Sequence, residues 1–220
     1  MNNHVQSDST ESKPTFFTKF KKIIIEIIVI VFSVYVSIWL SNMNDYQKQK
    51  KDTYEFLQDL KNDLNTDIKN ITEEKNKLTE SEKGITALLN LTSEQIKELG
   101  HIEMKIRFNT RKNIEANYEG FKSSGKIGNI EDSKLKTNIL SYYQEYMSTT
   151  LEMEKDINIY KKDIVEMLGK NNFKTITLED PYFRTKLELY IGTIQSLTDT
   201  YNEDIKKANE TIKGIDNYLN

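Results

Sequence analysis

The chain has no cysteine, two prolines and eight glycines in 220 residues. The missing thiols remove disulfides, thiolate metal sites and thiol nucleophiles together, while leaving the compartment open. So few prolines and glycines give helices little reason to stop, and most of the chain is expected to be helical. Histidine is also scarce: His4 lies near the N-terminus and His101 follows Gly100. No two histidines share a helix face, so no zinc pair is available, and neither metal nor cofactor is expected. Charge of neither sign prevails, with 31 Lys and Arg against 34 Asp and Glu. Nucleic acid demands a concentrated basic patch, whereas mixed charge of this kind keeps helix faces solvated.

What the chain does have is one long apolar run. Residues 23–40 carry no charge except Glu26. At about 1.5 Å per residue, a helix over residues 23–43 crosses roughly 30 Å of hydrocarbon, and in lipid a single segment satisfies its backbone only as a helix. Lys19, Lys21 and Lys22 precede the run and Trp39 stands near its far end, which places the N-terminus on the cytoplasmic side. Lys48, Lys50 and Lys51 on the other flank make this bias small. A cleaved signal would need a small-x-small site, and residues 36–40 offer none. The expected organisation is a disordered cytoplasmic tail over 1–22, a transmembrane helix over 23–43 and a helical extracytoplasmic domain over 44–220. The expected location is the bacterial inner membrane.

Glu26 is costly in hydrocarbon, though Lys22 stands one turn back to pair with it. Glu26, Ser33, Ser37 and Ser41 fall on one helix face, and Ser33 and Ser37 have the spacing that lets two helices approach closely. This face is the candidate surface for homo-oligomerisation.

Beyond the run, apolar residues recur at spacings of three and four in three seams. Tyr54, Leu57, Leu60, Leu64, Ile68, Ile71, Leu78 and Ile85 form the first, with Lys75 and Glu82 filling the remaining positions. Leu135, Ile139, Tyr142, Tyr146, Met153, Ile157, Tyr160, Ile164 and Met167 form the second. The third runs from Phe183 through Leu187, Tyr190, Ile194, Leu197, Tyr201 and Ile205 to Leu219. Each contains a four-four step, at 60–64–68, 149–153–157 and 197–201–205, and such stutters predict nearly straight helices. The fold expected is all-α: an elongated antiparallel bundle of three long helices, with short helices beside it. Asp180 before Pro181 marks the start of the third helix. Thr92 to Gln95 has the form of a capping box, and Asn109 or Thr110 is expected to cap a further short helix. Residues 102–108 and 173–178 alternate with period two and are expected to meet as a minor two-stranded ribbon.

Two blocks resemble a known family. Residues 26–45, from Glu26 and Ile27 to Asn44 and Asp45, are similar to the anchor of an uncharacterised family of single-pass bacterial membrane proteins, known mainly from Bacteroidota. Residues 118–135, followed by Tyr142 and Tyr143, resemble its second block, and the Phe56, Leu57, Leu60, Asp63, Leu64 stretch agrees. Ser33, Ser37 and Ser41 stand where that family usually has Gly, Ala and Asn, and Met43 where it has Trp. The resemblance implies an anchored helical domain and no activity.

No catalytic constellation emerges. Gly125 and Gly128 have the spacing of an RNA-clamping loop, but a turn between helices explains them. The tyrosines are the suggestive feature: as core, their phenols find polar partners. As a pocket, Tyr142, Tyr146 and Tyr190 line a small-ligand site, with Arg184 or Arg111 as an anion anchor. The function expected is a non-enzymatic membrane-anchored scaffold that associates with itself or with an envelope protein. A small-ligand sensor-type domain acting through a partner protein is the alternative.

Overall fold

The computed structural model describes residues 16–104, 106–108 and 115–220, with side chains from Phe20 onward except that of Ile176. The tail before residue 16, the expected cap at Asn109 or Thr110 and Arg111 lie outside the described residues. The described residues are helical, without strands. Helix α1 spans Phe16–Leu89, α2 Ser93–Leu99, α3 Ala116–Ser123, α4 Ser133–Ser141, α5 Met147–Lys170 and α6 Pro181–Leu219. A π-helical turn, Tyr142–Tyr146, joins α4 to α5, and 3₁₀ turns occupy Lys126–Asn129 and Thr175–Glu179. Contacts divide the chain into two units, the first ending at Lys50 and the second covering Lys51–Asn220. In the first, α1 begins inside the stretch read as tail.

Local chemistry sets the ends of the helices. Thr92 and Gln95 form the expected reciprocal capping box, and Asp180 accepts from the Tyr182 amide ahead of Pro181. Asp132 caps α4 by accepting from the amides of Lys134 and Leu135. Gly125 takes φ +74° after α3, a conformation that glycine alone adopts without penalty. The expected ribbon does not form. The two stretches meet through a single antiparallel bridge, His101 with Lys174, and Thr175–Glu179 then winds into a 3₁₀ turn. The amide of Ile102 bonds to the Phe173 carbonyl at 2.9 Å, but the side chains of Thr175, Thr177 and Leu178 are buried together. A strand would send alternate residues to opposite faces.

The second unit has two apolar clusters. One gathers Leu57, Leu60, Leu64, Tyr118, Phe121, Ile130, Leu135, Ile139, Tyr142, Tyr143, Met147, Ala208 and Ile215. The other gathers Ile71, Leu78, Ile85, Ile157, Ile164, Phe183, Leu187, Tyr190, Ile194, Leu197 and Tyr201. Side-chain bonds fix the directions of the helices. Lys61, Lys75 and Glu82 of α1 meet Asp216, Asn202 and Gln195 of α6, an antiparallel match. Thr150, Glu154 and Asp163 of α5 meet Asp204, Tyr201 and Lys186 of α6, also antiparallel.

The seams differ from the expectation in one systematic way. On α6 the buried positions are 183, 187, 190, 194, 197, 201, 204, 208, 211 and 215, an unbroken three-four alternation. Asp204 and Thr211, not Ile205 and Ile212, hold the inner places. On α1, Asp67 holds the place read as Ile68. On α5 the buried positions are 147, 150, 154, 157, 161, 164 and 168. Met153, Tyr160 and Met167 are therefore each one residue off the seam. The π turn adds one residue and moves the inward place from Tyr146 to Met147, while Ile157 and Ile164 keep the seam as read and Thr150, Glu154 and Lys161 fill the inward places between them that an apolar reading passes over. Tyr54, also read as core, is exposed, and Thr53 and Phe56 are buried instead. The stutters vanish once buried polar residues are counted, and with them the basis for expecting straight helices.

Candidate functional site

Two features of the structure are candidates for function: the apolar segment of α1, and a layer of buried polar groups in the second unit.

Within Phe20–Leu89 lies an 18-residue window apolar enough to cross a membrane, none of it buried. Ile30, Val31, Phe32 and Tyr35 are 62–69 % exposed. Apolar surface of this extent, open all round the helix, has no cover among the described residues. Glu26, Ser33, Ser37 and Ser41 are exposed on it. The Ser33 hydroxyl donates to the Val29 carbonyl at 2.7 Å and the Ser37 hydroxyl to the Ser33 carbonyl at 2.8 Å. Their protons therefore serve their own helix, and a partner helix on this face would meet small surfaces and acceptor oxygens.

The tyrosines named from the sequence do not converge. Tyr142 and Tyr190 are buried in different clusters, and Tyr146 is half-buried beneath the Lys207 ammonium, 5.8 Å above its ring. Burial pushes the Tyr190 phenol up to about 12, against a hydrogen bond with Ser81. Arg184 donates to the Leu89 carbonyl at 2.5 Å and to that of Leu178 at 3.3 Å. Its guanidinium thus ties the C-terminal end of α1 to α6, where helix carbonyls favour a cation.

The polar layer lies between the two apolar clusters. The Tyr142 hydroxyl donates to the Asp67 carboxylate in a short hydrogen bond. Thr150 donates to Asp204 at 2.7 Å and Tyr201 to Glu154 at 2.8 Å. Each pair joins two chain segments: the π turn to α1, α5 to α6, and α6 to α5. Lys161, 3 % exposed, donates to the Arg107 carbonyl at 2.7 Å. Burial brings its pKa down to about 8, opposed by Glu74 and Glu154. Asp63 is pushed up by burial and by Asp59 and Asp67, though Asn117 donates to it at 2.9 Å. A buried carboxylate left without its hydroxyl is costly, so these pairs fix the register of the helices. Sequence reasoning passed over Asp67, Thr150, Glu154 and Asp204 because it followed apolar residues only. The four-four steps were the signal, since they fall where a polar residue occupies the inner position.

The 56–64 stretch and the second family-like block meet in one place. Phe56 stacks on Phe121 with ring centroids 3.7 Å apart, and Leu57, Leu60 and Leu64 share a cluster with Tyr118, Ile130 and Leu135. The model of one family, the family of unknown function DUF6090, matches residues 26–181. The chain belongs to that family. The DUF6090 match takes in the apolar run from Glu26 and ends at Pro181, the first residue of α6. No curated protein and no solved structure matches the chain.

Proposed function

We propose that this DUF6090 member is a membrane-anchored helical scaffold of the bacterial envelope that works by association, with itself or with an envelope protein, and not by catalysis. The supporting observation is the apolar segment of α1, whose uncovered surface needs lipid or another helix around it. The buried packing of Tyr118 and Tyr142 supports a structural role for these two residues. On this reading α1 is a single-pass anchor in the inner membrane and residues 44–220 are extracytoplasmic, as the lysines before the run suggest. The resemblance to single-pass proteins known mainly from Bacteroidota is part of the same proposal. The face of Glu26, Ser33, Ser37 and Ser41 is its self-association surface.

The chain has no cysteine, so single cysteines report cleanly. Oxidative crosslinking of the full chain in membranes is expected to give more dimer from cysteines at 33 and 37 than at 34 and 38. Equal yields at all four positions would reject this face, and recovery of the chain in a soluble fraction without detergent would reject the anchor. A second reading, an extracytoplasmic small-ligand sensor-type domain acting through a partner protein, is supported by an open groove beside Tyr143.

A further inference from the structure

The π turn buries two successive tyrosines, and they end differently. The Tyr142 hydroxyl donates a hydrogen bond to Asp67. Tyr143, 5 % exposed, stacks on Tyr118 with centroids 4.2 Å apart and meets Tyr142 edge-on at 5.1 Å. Its hydroxyl makes no hydrogen bond with the described residues. Instead, Tyr143 lines a groove of about 340 Å³, together with Glu115, Glu119, Gln144, Leu151, Glu152 and Lys155, with Ser148 at its side. The hydroxyl is not among the sealed unpartnered polar atoms of the core, so it opens to the groove, where a ligand can reach it. Burial and the charges of Asp63, Asp67 and Glu115 push it well above the ordinary phenol range, so it keeps its proton and both donates and accepts.

The other polar groups of the groove favour a cation. Three glutamates face one lysine. Glu119 is paired with Lys122 at 3.3 Å, whereas Glu152 is exposed on α5 and makes no ion pair with the described residues. Gln144 donates its amide N–H to the Tyr118 hydroxyl at 3.0 Å, and its carbonyl oxygen remains available as an acceptor. Leu151 supplies an apolar wall.

We propose that this groove binds an organic ammonium ion, whose N–H groups bond to the Tyr143 hydroxyl, the Gln144 carbonyl and the Glu152 carboxylate while its carbon body lies on Leu151. The site goes beyond the scaffold reading and does not depend on it. The ammonium comes either from a free amine or from a lysine side chain of another protein. Titration calorimetry of the full chain in detergent tests both, with tyramine as one probe and N-acetyl-lysine methylamide as the other. Binding by tyramine points to the free amine, and tighter binding of the lysine derivative to a protein side chain. In either case Tyr143→Phe and Glu152→Gln are expected to weaken the favoured probe about tenfold each, the effect of losing one charge-assisted hydrogen bond. Tyr143→Phe keeps both ring contacts and Glu152 is exposed, so both variants should fold, and unchanged thermal melts check this. The proposal is overturned if neither probe binds at millimolar concentration. It is equally overturned if both variants bind like the parent, or if 3-(4-hydroxyphenyl)propionate, the anionic counterpart of tyramine, binds as well as tyramine does. Any of these results leaves the anchor and the scaffold reading standing.

Discussion

Lys161 occupies a seam position on α5 that a leucine would ordinarily fill, and its burial lowers its pKa to about 8. Between about pH 8 and the ordinary lysine value of 10.5 the unfolded chain holds more protons than the folded one, so this group's contribution to stability rises with pH across that window. Below pH 8 the penalty for burying the charge is present in full. Lys161→Met, which keeps the length and removes the charge, is expected to be more stable than the parent at pH 7 and to show a flatter profile from pH 8 to 10.5. Urea melts at several pH values measure this, and a less stable variant at pH 7 would contradict it. The hydroxyl partners of the buried carboxylates act in the opposite sense. Thr150→Val removes one hydroxyl donor from Asp204 at nearly unchanged volume, and Tyr142→Phe removes one from Asp67. Each is expected to lose about 1–3 kcal/mol in denaturant melts. A loss no larger than that of an exposed substitution would remove these pairs from the account of register.

At the scale of the element, the π turn decides which side chains of α5 face inward. A π turn is a one-residue insertion in an α-helix, so deleting Gln144 should let Ser133–Lys170 continue as one α-helix with both flanks in register. That deletion is expected to keep cooperative unfolding. Deleting Asp156 from the exposed face of α5 rotates the remainder of the helix by about 100° and turns Ile157, Ile164 and Leu168 away from the core. Loss of a cooperative melt is expected for this second deletion alone, as followed by circular dichroism. If both deletions melt alike, the insertion is not what sets the register. The caps were legible from local chemistry, as Asp180 before Pro181 and the Thr92 box show. The π turn was not, because Tyr142-Tyr143-Gln144-Glu145-Tyr146 also suits an α-helix, and only packing on α1 and α6 makes the extra residue worthwhile.

For the molecule as a whole, the decisive surface is the apolar segment of α1, which none of the described residues covers. A lysine near the middle of a transmembrane helix costs about 2.5–3.5 kcal/mol on insertion scales. The double substitution Ile28→Lys and Val31→Lys is therefore expected to move the chain from the carbonate-resistant membrane pellet to the supernatant. Retention in the pellet would mean that another part of the molecule holds it there.

The amino-acid order alone determined the helical class, the anchor-length run and the start of the third helix, because these depend on composition, on short-range periodicity and on local capping that any neighbour would leave intact. It also carried the family resemblance, since the matched blocks are continuous stretches. Only the tertiary structure decided that Asp67, Thr150, Glu154 and Asp204 turn inward, that Arg184 closes the end of α1, and that Tyr143 faces a groove while Tyr142 is sealed. A buried carboxylate is tolerable only when a hydrogen-bond donor or a cation meets it, and residues as far apart as Asp67 and Tyr142 meet only after the chain has folded.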